Sequence, residues 1–136
     1  MTKPTTPNAV LLRSEETGGA LGLIENRAPA GFPGPPQHRH DFDETFYVLE
    51  GELTFQLVDE HVTAGAGEVV FAPRGVPHTF ANLSDAPARF LLACTPAGFE
   101  RYFARMAAER AGVEPPNWAL QPTPPVTTLG PRIGER

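Results

Sequence analysis

His38-Arg39-His40-Asp41-Phe42-Asp43-Glu44, running on through Phe46-Tyr47-Val48-Leu49 to Gly51, is the stretch that decides how this chain folds. A second stretch answers it: Gly67-Glu68-Val69-Val70-Phe71-Ala72-Pro73-Arg74-Gly75-Val76-Pro77-His78, then Thr79-Phe80-Ala81-Asn82. Both read as β-strand. Side chains two apart on a strand share a face, so His38 and His40 point the same way and Glu44 has the same parity. With His78 arriving from another strand, three imidazoles and one carboxylate can converge on one cation. That set suits one divalent transition metal: iron, manganese, nickel, cobalt, copper or zinc. Ordinary polar residues on a half-buried strand would account for one or two of these positions, but not for four. Three of the four histidines in the chain are among them.

The rest of the composition narrows the class. At 136 residues the chain is one domain with enough length for a core. Asp and Glu number 16 against 11 Lys and Arg, and no basic run or aromatic-arginine patch occurs, which argues against nucleic acid as a partner. No apolar run approaches the ~20 residues of a membrane span, and the start lacks the basic and apolar blocks of a signal peptide. The single cysteine, Cys94, excludes an internal disulfide and fits a cytoplasmic location. Set in an apolar strand, it reads as an inert buried thiol. Sixteen prolines and 13 glycines call for many turns and short strands.

The chain divides into a flexible lead-in (1–8), a β domain with a helix (9–112) and a proline-rich tail (113–136). Strands are expected at 9–13, 21–27, 38–50, 52–58, 68–72, 78–83 and 88–95, with a turn at Thr17-Gly18-Gly19. Residues 28–37 hold four prolines and two glycines and should be irregular. Short strands separated by turn signals indicate a sandwich or barrel. Phe99, Tyr102, Phe103, Met106 and Ala107 recur at helical spacing to about Ala111, with Gly112 as C-cap. Arg101, Arg105 and Arg110 fall on the wet face of that helix. The tail is either disordered or an extended arm laid on a surface, with Trp118 as its anchor.

The two motifs resemble the paired signatures of the cupin superfamily, small jelly-roll β-barrels. Residues 38 to 51 match the first signature from its first histidine onward. Its opening glycine is replaced by Phe32, which Gly31 and Gly34 flank. Gly67, Pro73, Gly75, His78 and Asn82 meet every interval of the second. The resemblance covers roughly residues 20 to 111. It implies an all-β fold, a single jelly-roll barrel with one C-terminal helix, in which His38, His40, Glu44 and His78 hold one metal ion. It also implies a homodimer. The glycines fit, since Gly51 and Gly75 sit where a turn needs positive φ.

Chains with this intact ligand set are similar to quercetinase-type dioxygenases. The implied function is a metal-dependent oxidoreductase acting on a small molecule and dioxygen, with Glu44 as the catalytic base. The alternatives are a non-oxidative isomerase, cyclase or lyase, and a barrel that binds a small molecule without chemistry. Parity places Phe46, Val48, Phe80 and Asn82 in the barrel, with Phe55 and Phe90 on neighbouring strands. Each phenylalanine is equally well explained as core. This aromatic mouth favours a flat or apolar substrate over a sugar phosphate. Arg39 faces away from the ligands and Arg74 sits on a turn. Asp41 and Asp43 face outward, and His61 is solvated near a turn.

Overall fold

Alternation of inward and outward side chains runs through β4 (Asp43–Glu50) as far as an irregularity after Val48 and along the whole of β9 (Ala88–Thr95), the two longest strands. Their inward residues, Glu44, Phe46 and Val48 on one and Phe90, Leu92 and Cys94 on the other, are all buried. This is the period-two pattern of a sheet with one dry face. The computed structural model describes residues 9–134, so the lead-in at 1–8 lies outside the described residues.

The other strands are β1 (Ala9–Leu12), β2 (Gly22–Ala28), β3 (His38–His40), β5 (Glu52–Leu57), β6 (Glu60–Gly65), β7 (Val69–Ala72), β8 (His78–Ala81) and β10 (Val126–Thr128). They form two five-stranded antiparallel sheets, ordered β1-β2-β9-β4-β7 and β10-β3-β8-β5-β6. The architecture is a jelly-roll sandwich whose sheets do not close into a continuous barrel. Ile24, Phe46, Val48, Leu53, Phe55 and Phe90 fill the space between them. Among the described residues, no helix is long and apolar enough to cross a membrane.

The expected strand 38–50 is two strands in opposite sheets, β3 and β4. The chain crosses between them at Asp41-Phe42, and Phe42, 1% exposed, anchors the crossing by stacking on His40 at 3.6 Å between ring centroids. β6 forms where no strand is expected: residues 60–63 are all exposed and only Ala64 is buried, so no apolar alternation marks it. Residues 14–17 form a short helix, α1 (Ser14–Thr17), closed by Gly18 at φ 62°.

Helix α2 (Glu100–Ala111) ends at Gly112 with φ 68°. Its buried stripe is Glu100, Ala104 and Ala108, not the aromatic residues that mark the helix in the sequence. Glu100 is fully buried because it has partners: its carboxylate accepts from Ser14 N at 2.7 Å and Gly98 N at 2.6 Å. The small alanines let the helix lie close to the sheet, and the aromatic face is left for another purpose.

The tail is an extended arm. A 3-10 turn at Asn117–Leu120 leads to β10, which pairs with β3 so that Val126 opposes His40 and Thr128 opposes His38. Trp118 is half-buried under the Arg13 guanidinium, 5.2 Å from the ring centroid. Arg101 and Arg105, expected on a wet face, instead hold this arm. They donate to Pro122 O at 2.9 Å and Ala119 O at 2.7 Å.

Gly51 and Gly75 have φ of 75° and 78°, as their turns require. Gly34 serves where the expected glycine is replaced by Phe32: its φ is 73°, and any Cβ would overlap the Phe80 carbonyl. Gly31 has the same φ of 73° but open space around it. The two positions therefore separate conformational strain from steric conflict. Gly31→Ala should cost about 1 kcal/mol and Gly34→Ala roughly 3 kcal/mol or more, because only the latter displaces backbone. Denaturant unfolding of both variants measures the difference.

Candidate metal centre

His38 and His40 stand on β3, and His38 is the direct cross-strand partner of His78 on β8. Glu44 reaches the same point from β4 in the opposite sheet. The four side chains therefore meet across the sandwich, not along one strand face as their parity alone suggests. One potential ligand atom from each lies within 4.8 Å of all the others. His40 Nε2 and His78 Nε2 approach the same carboxylate oxygen, Glu44 Oε1, at 2.6 and 2.9 Å.

Each ring is fixed through its other nitrogen. His38 Nδ1 lies 2.7 Å from Pro36 O, His40 Nδ1 2.9 Å from Phe42 O, and His78 Nδ1 2.8 Å from Val76 O. A carbonyl oxygen only accepts, so each Nδ1 carries the proton and donates. Every Nε2 then turns a lone pair toward the centre, the arrangement that prepares histidine for a metal. Each acceptor is two residues from its histidine, so the local turn sets the tautomer.

Two lone pairs facing an ionised carboxylate repel unless a proton or a cation lies between them. Burial pushes the Glu44 carboxyl up, but the hydrogen bonds and charges of His40 and His78 outweigh it and bring it down to about 2. Burial lowers the His38 ring below its ordinary value. Burial also lowers His78, but its hydrogen bond to Glu44 prevails and raises it. A proton at His78 thus does what a cation would do better, and the donor set fits a divalent ion.

His38, Glu44 and His78 open onto a cavity of about 1070 Å³. Phe46, Phe80 and Phe90 line it. Val48, Phe55 and Asn82 are not among its lining residues and are 0–2% exposed. Val48 and Phe55 belong to the closed core. Asn82 staples a turn instead, donating from Nδ2 to Ala28 O and Ala86 O at 3.1 and 2.8 Å and accepting at Oδ1 from Ser84.

The remaining wall was not legible as such. Phe99, which caps α2, and Tyr102, Phe103 and Met106 along it face the cavity, as do Pro124, Pro125, Val126 and Thr128 of the tail. The sequence marks the helical face but does not say what it packs against. The β-branched run Val126-Thr127-Thr128 between prolines was the available signal for the tail strand. Arg27, Arg110 and Arg132 also border the cavity, so cations are nearer to it than Arg39 and Arg74 suggest. Arg39 is exposed, and Arg74 holds its turn through Asp43 at 3.2 Å. Hydrogen bonds from Arg74 keep the Asp43 carboxyl below its ordinary value. Asp41 and His61 are exposed. Cys94 is fully buried, and burial pushes its thiol well up.

A two-sheet jelly roll with histidines and a carboxylate converging between its sheets defines a class of protein. Residues 26–94, half of the chain, match the family model described as Cupin domain, and the chain belongs to that family. A structure described as a predicted oxalate decarboxylase from Thermotoga maritima is 27% identical, with TM-score 0.61, over 65% of this chain and 77% of that one. The DMSP lyase DddQ from Ruegeria pomeroyi is 29% identical, with TM-score 0.51, over 57% of this chain and 39% of that one. A Myxococcus xanthus protein named Endoribonuclease YbeY is 33% identical over 94 residues, 69% of this chain. The match spans only 31% of that protein's length.

His78→Ala should weaken binding of a divalent transition metal by about 100-fold or more, while His61→Ala leaves it unchanged. The raised His78 means the metal-free site holds a proton that the ion must displace. Affinity should therefore rise with pH and level off only above the raised His78 value, at a higher pH than an ordinary imidazole would require. Competition titrations with a chromophoric chelator measure both.

Proposed function

We propose that this protein is a metal-dependent enzyme for a small apolar or aromatic molecule, a dioxygenase in type, with His38, His40, Glu44 and His78 as ligands. The observation that carries the reading is the triple anchoring of Nδ1, which leaves three Nε2 atoms to gather with one carboxylate on the edge of an aromatic cavity. A site built only to fill space between sheets would not need all three tautomers fixed.

When bound, the divalent ion supplies Lewis-acid stabilisation of a substrate oxyanion and, if redox-active, electron transfer with dioxygen. The chain's own residues do the rest. Phe46, Phe80 and Phe90 hold a flat apolar body and keep water from it. Glu44, ionised at working pH, accepts the proton of a substrate hydroxyl at its carboxylate oxygen. His40, behind the lining and stacked on Phe42, holds that carboxylate in place.

A second reading, a non-oxidative lyase or isomerase at the same site, is favoured by the likeness to a lyase and to a predicted decarboxylase. Oxygen uptake separates the two. Protein reconstituted with iron, manganese, nickel or copper should consume oxygen with an aromatic diol, whereas the zinc form should not. Glu44→Gln should lower turnover by about 100-fold or more. Turnover without oxygen uptake selects the lyase reading, and stoichiometric binding without turnover selects a binding module.

A homodimer completes the proposal. Tyr47, Val69 and Phe71 lie side by side on the outward face of β4 and β7, and each is at least 40% exposed. An apolar cluster of this kind on a sheet edge calls for cover. Replacing Phe71 by Glu should shift sedimentation from dimer to monomer at micromolar concentration.

A further inference from the structure

Three buried side-chain atoms in the described residues have no hydrogen-bond partner: Asn26 Oδ1, Gln56 Oε1 and Arg101 Nε. Of these three residues, only Asn26 lines the cavity. It projects inward from β2, is 5% exposed, and has Phe90 as its cross-strand partner on β9. Phe46, Phe90 and Leu92 line the same cavity. An apolar side chain would suit this wall better. A buried carbonyl oxygen without a donor is costly, and native structures keep few of them without a use.

We propose that Asn26 is a specificity-determining residue: its Oδ1, shielded and unpaired in the free protein, turns toward the cavity by rotation of the side-chain amide and accepts a hydrogen bond from a hydroxyl on the body of the substrate. The inference rests on the reading of the cavity as the substrate site. The substrate class is then a hydroxylated aromatic molecule. One oxygen group faces His38, Glu44 and His78, its ring lies among the phenylalanines, and a further hydroxyl meets Asn26. No covalent step involves Asn26, and its contribution is to select. A site with an unpaired buried acceptor rejects the analogue lacking the donor more sharply than an apolar pocket rejects a missing methylene.

Asn26→Leu keeps the volume and shape of the side chain while removing the acceptor. Unfolding and binding are measured on metal-loaded wild type and variant without oxygen. The probes are 2,3-dihydroxynaphthalene and its derivatives with one more hydroxyl at each free ring position. The variant should be at least as stable as wild type, because an unpaired polar atom has been removed. The parent diol should bind the variant at least as tightly as wild type. One hydroxylated derivative should bind wild type roughly 10- to 100-fold more tightly than the diol, a gain lost in the variant.

If the diol binds both proteins but no hydroxyl position distinguishes them, the role of Asn26 is overturned and the site reading stands. A variant clearly less stable than wild type assigns Asn26 to the fold and overturns the proposal. If the diol binds neither protein, the aromatic-substrate reading falls, and the role of Asn26 falls with it.

Discussion

One carboxylate oxygen, Glu44 Oε1, ties the two sheets together at the centre of the sandwich. The sheets share no backbone ladder there, and apolar contacts are non-directional. The approach of His40 and His78 to this atom is directional, and it fixes how β4 faces β3 and β8. A buried carboxylate is tolerable only with such partners. The imidazoles in turn keep their orientation through carbonyls of Pro36, Phe42 and Val76. Spacing of the sheets, tautomers of the rings and charge on the glutamate therefore form one mutually dependent arrangement.

That arrangement leaves the metal-free site poised. Glu44 stays ionised and His78 is biased toward its protonated form, so the centre is neutralised by a proton when it lacks a larger charge. Any ion that binds replaces that proton and joins ligands from three strands in both sheets. Its binding free energy is then partly folding free energy.

The sequence carried the ligands and the class of fold because both depend on short-range pattern: His-x-His spacing, glycines at turns, alternation on strands. It did not carry the crossing at Asp41-Phe42, since parity is the same whether residues 38 to 50 form one strand or two. Strand β6 was hidden because exposed residues on an outer face leave no apolar alternation. Val48 and Asn82 have the parity of cavity residues, yet depth along the strand, which parity does not encode, puts them elsewhere. The aromatic face of α2 was visible, but its destination was not. The alanine stripe takes the place against the sheet and leaves Phe99, Tyr102 and Phe103 to the cavity. Arg101 and Arg105 misled for a related reason, because their partners are backbone carbonyls of a segment with no local signature.

Those two arginines grip the tail by its main chain, and β10 joins β3 by the same kind of bond. The path of the tail is thus indifferent to most of its side chains, while residues such as Pro124 and Val126 form part of the cavity wall. Most of the chamber is fixed by the sandwich that builds the centre and by the helix, and the tail closes one part of it as an interchangeable panel. Substitutions in residues 122–128, none of which is buried, can reshape what the chamber admits while the four ligands stay in place on β3, β4 and β8.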